Sequence, residues 1–515
     1  MSINMKEAMN TEQKNITQND RLKCTKGEVS PSLPSQVAPR IAPASSVDSL
    51  RFVDLSATPS AGDTPATPYK FTFIDLFAGL GGFHLAMQKL GGKCLFASEL
   101  KEDLRILYKE NFGIECFGDI NEVNIETELP RKFDMLCAGF PCQPFSKAGK
   151  QQGFNDEKDR GNMFLRIMEI IEIHKPTYIF LENVPNLKSH DNGNTYNVIT
   201  DKLKKYYDID DDIISPHQFG IPQHRTRFYL VGKLKNSPED TPLDYFQFPK
   251  HDQKIACDIN TILIPEDDDY MSLKEITRKH LAVWQEFLDI LTKNKVKVPS
   301  FPIWTMEFGA TYEYEKTAPF YQQTRTLEGK LGKFGTPIYG NSKDDMLQLL
   351  PIYAQTEKTE ENHQFPEWKK NFIKWNREFY IKNKNILEPW LNKIRQPGFE
   401  NSHQKFEWNC GEEEKPDLYK KIIQFRPSGI RVKNPTYSPA LVLTTTQIPI
   451  IPWIKTPKGE IGRYMTRKEA AKLQCMEGIE CPDTIAKAFK AFGNAVNVEV
   501  VYRIGKALLE VEYDK

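Results

Sequence analysis

Short apolar runs alternate with amphipathic stretches between Phe71 and Val231, and this alternation restricts the fold more than any other feature of the chain. The first run, Phe71 to Phe77, is β-branched and aromatic, which is typical of a buried strand. Stretches with helical spacing follow, among them Phe83 to Leu90 and Met163 to His174. Strands that alternate with helices predict an α/β fold, with a doubly wound, mostly parallel sheet covered by helices on both faces.

The same reasoning predicts further elements within this region. Two more helices are expected, at Glu102 to Glu110 and at Tyr196 to Tyr206. The remaining strands are expected at Cys94 to Ser98, just before Gly118, at Phe133 to Ala138, at Tyr178 to Leu181 and at Arg227 to Val231.

Composition divides the chain into four segments. Residues 1–68 are rich in Ser, Thr, Pro, Ala, Gln and Asn, and they predict a disordered tail. Residues 69–233 carry the alternation and would form the catalytic and cofactor-binding domain. The alternation stops in residues 234–462, which predict a separate, irregular domain with a helix at Glu367 to Lys382. Residues 463–515 would complete the first domain, with a helix that begins at a capping box of Thr466 and Glu469 and a last helix near Asn497.

Bulk properties exclude few classes of function. The net charge is zero, so charge neither indicates nor excludes a nucleic-acid partner. No apolar run is long enough to span a membrane and the first residues lack a secretory apolar region, so a cytoplasmic protein without a membrane partner is expected. The 9 cysteines include no C-x-x-C pair, which argues against a disulfide framework and a zinc ribbon, and no metal site is expected.

A glycine-rich loop follows the first predicted strand. A dinucleotide fingerprint that starts at Gly79 and Gly81 would place its third small residue at His84, so a nicotinamide site is disfavoured. Glu99 ends the second strand, where an acid binds ribose hydroxyls, and Asp119 ends the third, where an acid could accept from an adenine amino group. This combination favours an adenosine cofactor without a pyrophosphate, and S-adenosyl-L-methionine fits that description.

Cys142 follows Pro141 at the end of the fourth predicted strand, and Pro144 comes two residues later. Proline fixes its own φ and restricts the residue before it, so the thiol would be held on a stiff turn. A nucleophile aimed at one atom of a substrate needs such rigidity. A small apolar side chain in a proline-rich turn is the alternative.

Two polar clusters lie at or near the ends of later strands. The first is Glu182-Asn183-Val184, and the second is Gln223-His224-Arg225-Thr226-Arg227. Because the carboxyl ends of strands meet in one crevice of a doubly wound sheet, a thiol, a carboxyl and two guanidiniums would share one site. A surface acid and a pair of salt-bridged surface arginines are the alternatives.

The motifs together resemble those of the DNA cytosine-5 methyltransferases, especially the bacterial restriction–modification enzymes. The resemblance covers roughly Phe71 to Gly232 and Arg463 to Leu509. The matching motifs, in chain order, are Phe77-Ala78-Gly79-Leu80-Gly81-Gly82, Pro141-Cys142-Gln143, Glu182-Asn183-Val184, Gln223-x-Arg225-x-Arg227, Arg467-Lys468-Glu469 with Leu473-Gln474, and Gly493-Asn494-Ala495-Val496.

The resemblance implies a role for each residue of the expected site. Cys142 would attack C6 of a cytosine, which activates C5 towards a methyl group. Glu182 would contact N3 and the exocyclic amine with its carboxyl protonated or sharing a proton with N3, and Arg227 would contact O2. Asn183 would hold the Pro141–Cys142 turn, and Arg225 would position a loop or a phosphate. The implied cofactor contacts are Phe77, Gly79, Gly81, Glu99, Leu100, Asp119, Ile120, Pro141, Asn494 and Val496.

The implied partner is double-stranded DNA, bound by a monomer that works alongside a cognate restriction endonuclease. The target base would leave the helix, and Lys147 to Arg160 resembles the loop that closes over the DNA. Residues 234–462 would then be the target-recognition domain. Its candidate DNA-contacting segments are Gln323 to Tyr339 with Arg325, Lys330 and Lys333, Phe425 to Arg431, and Thr444 to Gln447.

Two other functions compete with this interpretation. One is an RNA cytosine-5 methyltransferase on the same scaffold, against which the long recognition insert argues. The other is a catalytically inactive DNA-binding regulator, against which the intact Cys142, Glu182, Arg225 and Arg227 argue.

Overall fold

A computed structural model describes residues 69–141, 163–249, 255–441 and 447–509 of the chain. Several predicted features lie outside these described residues. They are the tail at residues 1–68, Cys142, the segment Lys147 to Arg160, and Thr444 to Thr446. Within the described ranges, no helix is both long enough and apolar enough to cross a membrane.

Seven strands form the first sheet. They are β1 (Phe71–Leu76), β2 (Gly92–Ser98), β3 (Cys116–Phe117), β4 (Met135–Gly139), β5 (Tyr178–Asn183), β6 (Tyr207–Ile214) and β8 (Arg227–Leu234), with the short β7 (Gln223–His224) lying outside the sheet. Their order is β3-β2-β1-β4-β5-β8-β6. The first five run parallel, whereas β8 is antiparallel to both of its neighbours.

Both faces of this sheet are buried. Alternate residues point to opposite faces of a strand, so Phe73 of β1 joins one apolar cluster and Ile74 joins the other. The helices among these strands are α1 (Gly82–Lys89), α2 (Glu102–Phe112), α3 (Met163–His174) and α4 (Asn194–Leu203). The α3 side chains Phe164 and Ile167 pack on the Ile74 face, and Met87 of α1 packs on the Phe73 face. The predicted doubly wound, mostly parallel α/β fold is therefore confirmed.

Strand β6 is an element that the sequence pattern did not predict. Its acids Asp208, Asp210, Asp211 and Asp212 interrupt the apolar pattern of a strand. An edge strand tolerates them because one side of its backbone has no neighbour and its side chains stay partly exposed. The preceding helix α4 ends at Leu203, three residues earlier than predicted.

The region after β8 has a sheet of its own, so it is more regular than its composition indicated. Its strands are β9 (Ile303–Trp304), β10 (Lys405–Asn409), β11 (Ile422–Arg426), β12 (Gly429–Lys433), β14 (Ile450–Lys455) and β15 (Ile461–Tyr464), in the order β15-β14-β11-β12-β10-β9. The short β13 (Ser438–Pro439) pairs with β7 instead. The boundary predicted at 462/463 falls within β15.

Two long helices cover one face of this second sheet. The helices of the region are α5 (Glu275–Lys293), α6 (Thr324–Leu327), α7 (Lys343–Gln348) and α8 (Glu367–Ile394). Trp284 of α5 and Trp390 of α8 are fully buried against Phe406 of β10. The helix predicted at Glu367 to Lys382 thus exists and continues for twelve more residues.

Three helices end the described chain, namely α9 (Arg467–Gln474), α10 (Ile485–Asn494) and α11 (Val498–Leu509). The predicted capping box is present, because Thr466 and Glu469 each accept a hydrogen bond from the other's backbone N–H. Glu469 also accepts from both terminal nitrogens of the buried Arg463, at 2.9 and 2.6 Å. Helix α11 packs on α1, which returns the chain to the glycine loop.

Candidate active site

A cavity of about 420 Å³ opens at the edge of the first sheet where the parallel strands end. Cavities of this size commonly hold small-molecule ligands. Most of the residues predicted from the sequence line it. These are Phe77, Gly79, Glu99, Leu100, Asp119, Ile120, Pro141, Glu182, Asn183, Arg225, Arg227, Asn494 and Val496.

The glycine loop after β1 forms one wall of the cavity. Phe77 and Gly79 both have a positive φ, at 57° and 56°, so the loop turns sharply away from the strand. A Cβ on Gly79 would meet no atom within 4 Å and would occupy open space. The Gly79 N–H donates to Glu99 Oε2 at 3.0 Å, and the Lys101 N–H donates to Glu99 Oε1 at the same distance. The loop and the end of β2 are thereby fixed together.

Gly81 is the one predicted cofactor residue that does not line the cavity. It precedes α1 with φ 80°, and a Cβ at this position would overlap the ring of Phe112. The structure therefore gives Gly81 a part in packing the loop against α2 instead of a place beside a ligand.

The wall after β2 and β3 combines acids with apolar side chains. Asp119 Oδ1 accepts from the backbone N–H and side-chain amide of Asn121, both at 2.9 Å. Ile120 is buried, whereas Leu100 is 70 % exposed beside the opening. Two acids, two apolar side chains and the unfilled space at Gly79 suit an adenosine group, whose ribose and adenine need acceptors and whose ring needs apolar contact.

A buried carboxyl faces the cavity from the end of β5. Glu182 is 7 % exposed, and its Oε1 lies 3.1 Å from Nε of Arg227. Burial raises the pKa of Glu182, although the positive charges of Arg227 and Arg225 act in the opposite direction. Because β8 runs antiparallel to β5, the beginning of β8 lies beside the end of β5. Arg227 therefore reaches the site from the start of its strand, while Glu182 reaches it from the end of a strand.

Asn183 fixes the segment that leads to Cys142. Its side-chain amide donates to the Phe140 carbonyl oxygen at 3.0 Å, and its own oxygen accepts from the Val184 N–H at 2.8 Å. Asn183 is 3 % exposed, so these bonds are protected from water. Pro141, the next residue after Phe140, lines the cavity, and Cys142 follows it directly in the chain.

Arg225 holds the C-terminal part of the cavity wall. Its guanidinium is buried and donates to the carbonyl oxygens of Gly493 and Ala495, at 2.7 and 2.9 Å. Asn494 and Val496, which belong to the same segment, both line the cavity. The sequence identified the Arg225 motif and the Gly493–Val496 motif but not the contact between them, because the acceptors are backbone carbonyls and do not depend on residue type.

Comparison with known proteins places this chain in a family. The family model for C-5 cytosine-specific DNA methylases matches residues 71–510. The chain is 47 % identical to the type II methyltransferase M.HpaII of Haemophilus parainfluenzae over 36 % of its own length and 51 % of the relative. It is 29 % identical to the type II methyltransferase M.AluI of Cellulosimicrobium cellulans over 84 % of its length and 91 % of that protein.

The chain thus spans about half the length of M.HpaII and nearly all of M.AluI. Among solved structures, the Dnmt2 methyltransferase of S. pombe is 18 % identical, covers 86 % of this chain and 99 % of its own, and has a TM-score of 0.42. Since the family model matches almost all of the described region, the chain belongs to the C-5 cytosine-specific DNA methylase family.

Proposed function

We propose that this chain transfers a methyl group from S-adenosyl-L-methionine to C5 of a cytosine in double-stranded DNA. The observation that carries the proposal is the contact between the Glu182 carboxyl and the Arg227 guanidinium, 3.1 Å apart. Both residues line the same cavity as Pro141, which precedes the candidate nucleophile, and as Glu99 and Asp119, which suit an adenosine group. Substrate base and cofactor would therefore meet in one space.

Cytosine C5 is a weak nucleophile, so the ring has to be activated before it can accept a methyl group. The Cys142 thiolate would attack C6 and form an S–C6 bond, which shifts the C5=C6 π electrons towards C4 and the C4=N3 electrons onto N3 and leaves an enamine that is nucleophilic at C5. Glu182 would give its proton to N3 as negative charge develops there. Burial raises the pKa of Glu182, which favours the protonated form that this role requires.

The remaining polar groups would hold the base and the nucleophile in place. The Arg227 guanidinium would donate to O2 of the cytosine, the other ring position on which negative charge accumulates. Asn183 would keep the Phe140–Pro141 backbone, and with it the thiol, at a fixed distance from C6. After methyl transfer, the C5 proton would pass to water, the sulfur would leave C6 as the Cys142 thiolate, and N3 would return its proton to Glu182, which restores the aromatic ring and the enzyme.

The cofactor would lie against the glycine loop, with Glu99 and Asp119 as acceptors and Leu100 and Ile120 against its adenine. When bound, the cofactor supplies a methyl group from its sulfonium sulfur, and the rest of the cofactor leaves as a neutral thioether. Arg225 would act here indirectly, since it fixes the Gly493–Ala495 backbone that presents Asn494 and Val496 to the cavity.

The cytosine would be extruded from the duplex, because C5 and C6 cannot be reached within the base stack. Extrusion costs about a few kcal/mol. The similarity to type II methyltransferases supports a role in a restriction–modification system, with protection of host DNA from a cognate endonuclease.

Methyl transfer from labelled cofactor tests this proposal. Duplex DNA should be labelled and tRNA should not, and bisulfite sequencing of modified plasmid should show 5-methylcytosine at one short motif. Labelling of tRNA alone would favour the RNA enzyme. Tight DNA binding without labelling of either substrate would favour the inactive regulator.

A further inference from the structure

The second sheet has one apolar face and one charged face. Phe406, Ile430 and Ile423 point to the face that packs against α5 and α8. The register pairs Glu407 with Arg431 and Arg431 with Gln424, so these side chains lie on the opposite face. Side chains two residues further along a strand share that face, which adds Arg426 and Lys433. We call Arg426, Arg431 and Lys433 the cationic face.

The three basic side chains of the cationic face lie near one buried carboxylate, that of Glu407. Glu407 accepts from Arg426 Nη2 at 2.5 Å and from Arg431 Nε at 3.2 Å, so one carboxylate serves two guanidiniums. Lys433 has no ion-pair or hydrogen-bond partner among the residues that the structure describes. Burial and the two neighbouring arginines lower the pKa of Lys433 to about 8. A positive charge such as that of Lys433, which is partly withdrawn from water and has no ion-pair partner among the described residues, is stabilised by an anionic ligand.

Aromatic contacts connect the cationic face to the active site. Lys433 Nζ lies 5.6 Å from the centre of the Tyr437 ring, and that ring stacks on His224 at 5.6 Å. Ser438 and Pro439, which follow Tyr437, pair with Gln223 and His224. His224 is three residues from Arg227, which lines the cavity, so this series of contacts leads from the cationic face towards the active site.

We propose that the cationic face binds the phosphodiester backbone of the duplex next to the extruded cytosine. The proposal rests on the function proposed above, because it takes duplex DNA as the substrate. Successive phosphates lie about 3.4 Å apart along the axis of one strand. A duplex that delivers a base beside Arg227 therefore carries several phosphates past the neighbouring surface. Contacts to them position the DNA without reading its sequence.

Salt dependence of DNA binding tests this assignment, because each lost phosphate contact lowers the slope of log K against log salt by about 0.9. The variants are Lys433→Gln, the charge-preserving Lys433→Arg, and Arg431→Gln with Lys433→Gln. Lys384→Gln, at an exposed lysine of α8, is the matched control. Fluorescence anisotropy with an unmethylated plasmid-derived duplex measures binding, and calorimetry measures S-adenosyl-L-methionine affinity as a check on folding.

We expect slope losses of about 1 for Lys433→Gln and about 2 for the double variant. Lys433→Arg and Lys384→Gln should keep the wild-type slope, and cofactor affinity should not change. A wild-type slope in all the variants, with cofactor affinity retained, would overturn the cationic face while leaving the methyltransferase assignment intact. Absence of 5-methylcytosine formation by the wild-type protein would instead overturn the proposed function. If the double variant does not fold, the two Lys433 substitutions decide the question by themselves.

Discussion

Arg227 Nε lies 3.1 Å from Glu182 Oε1, across two neighbouring antiparallel strands of the first sheet. The pair joins the end of β5 to the beginning of β8. A wholly parallel sheet would have placed these two positions at opposite edges. The single reversed strand is therefore what allows a carboxyl and a guanidinium from separate motifs to face one small cavity.

Glu182→Gln should slow methyl transfer by about 10²- to 10⁴-fold, because an amide cannot give N3 a proton. Since the proposed role requires the protonated carboxyl and burial raises its pKa, the wild-type single-turnover rate should fall as pH rises through that pKa. The variant should lack this fall. Single-turnover rates at a series of pH values above 4.5, the ordinary pKa of the group, measure both effects, and an unchanged rate in Glu182→Gln would exclude the proton-donor role.

Asn183→Ala should lower the single-turnover rate by about 10²-fold, because the Phe140 carbonyl loses its partner and the path to Cys142 loosens. Affinities for DNA and cofactor should stay close to those of the wild type. Asn186→Ala is a suitable control, since Asn186 is nearby and lies outside the cavity wall. If the two variants had equal rates, the bond to Phe140 would have no part in placing the nucleophile.

Two glycine substitutions should distinguish a loss of space for the cofactor from a disturbance of side-chain packing. Gly79→Ala places its Cβ in open space at a positive φ, so it should weaken cofactor binding and lower the free energy of unfolding by about 1–2 kcal/mol. Gly82→Ala places its Cβ 2.6 Å from Val496 Cγ2 and should cost about 1–3 kcal/mol or more through overpacking. Calorimetric binding and chemical denaturation check the pair. Equal cofactor affinity in Gly79→Ala and wild type would place the cofactor elsewhere.

The buried His84 should make the protein less stable in acid. Its Nδ1 lies 2.7 Å from Tyr108 Oη, its ring stacks on Phe112, and burial lowers its pKa to about 4. Between pH 6.5 and 4 the unfolded chain binds a proton at this position that the folded chain does not, so stability falls as pH falls. The full loss from this group is about 3 kcal/mol.

Asp75, which accepts from Tyr108, has a raised pKa and contributes with the opposite sign, so total stability alone does not isolate His84. The difference in unfolding free energy between wild type and His84→Gln does isolate it. Urea denaturation at several pH values should show that this difference shrinks as pH falls from 7 to 4. A constant difference would show that His84 binds a proton equally well in both states.

Local sequence patterns predicted the elements in which the spacing of apolar residues matches the side chains that are buried. The bounds of α3 and the capping box at Thr466 were predicted correctly, since helical spacing and cap chemistry are local properties. Strand β6 was missed because its four acids lie on a sheet edge, and α10 was missed altogether. The parallel pairing of β10 with β12 depends on contacts between distant segments, which no local window contains.

The same distinction applies to the site. The positions of the motifs at strand ends predicted that Cys142, Glu182, Arg225 and Arg227 share one site, and the last three, which the structure describes, line one cavity. The hydrogen bonds from Arg225 to Gly493 and Ala495 join residues about 270 positions apart. Their acceptors are backbone oxygens, which every residue type has, so the sequence does not indicate them. The sequence analysis named Phe425 to Arg431, which contains Arg426 and Arg431, as a candidate DNA contact, but only the strand register shows that these two side chains and Lys433 share one face.

Covalent trapping tests the central claim most directly. Duplex DNA that carries 5-fluorocytosine cannot lose a C5 proton after methylation, so elimination is blocked and the enzyme should stay attached to the base. We predict that, with S-adenosyl-L-methionine present, peptide mass spectrometry finds the methylated base on Cys142 and that Cys142→Ser forms no adduct. Attachment at another cysteine, or no attachment while 5-methylcytosine forms on ordinary DNA, would contradict the account.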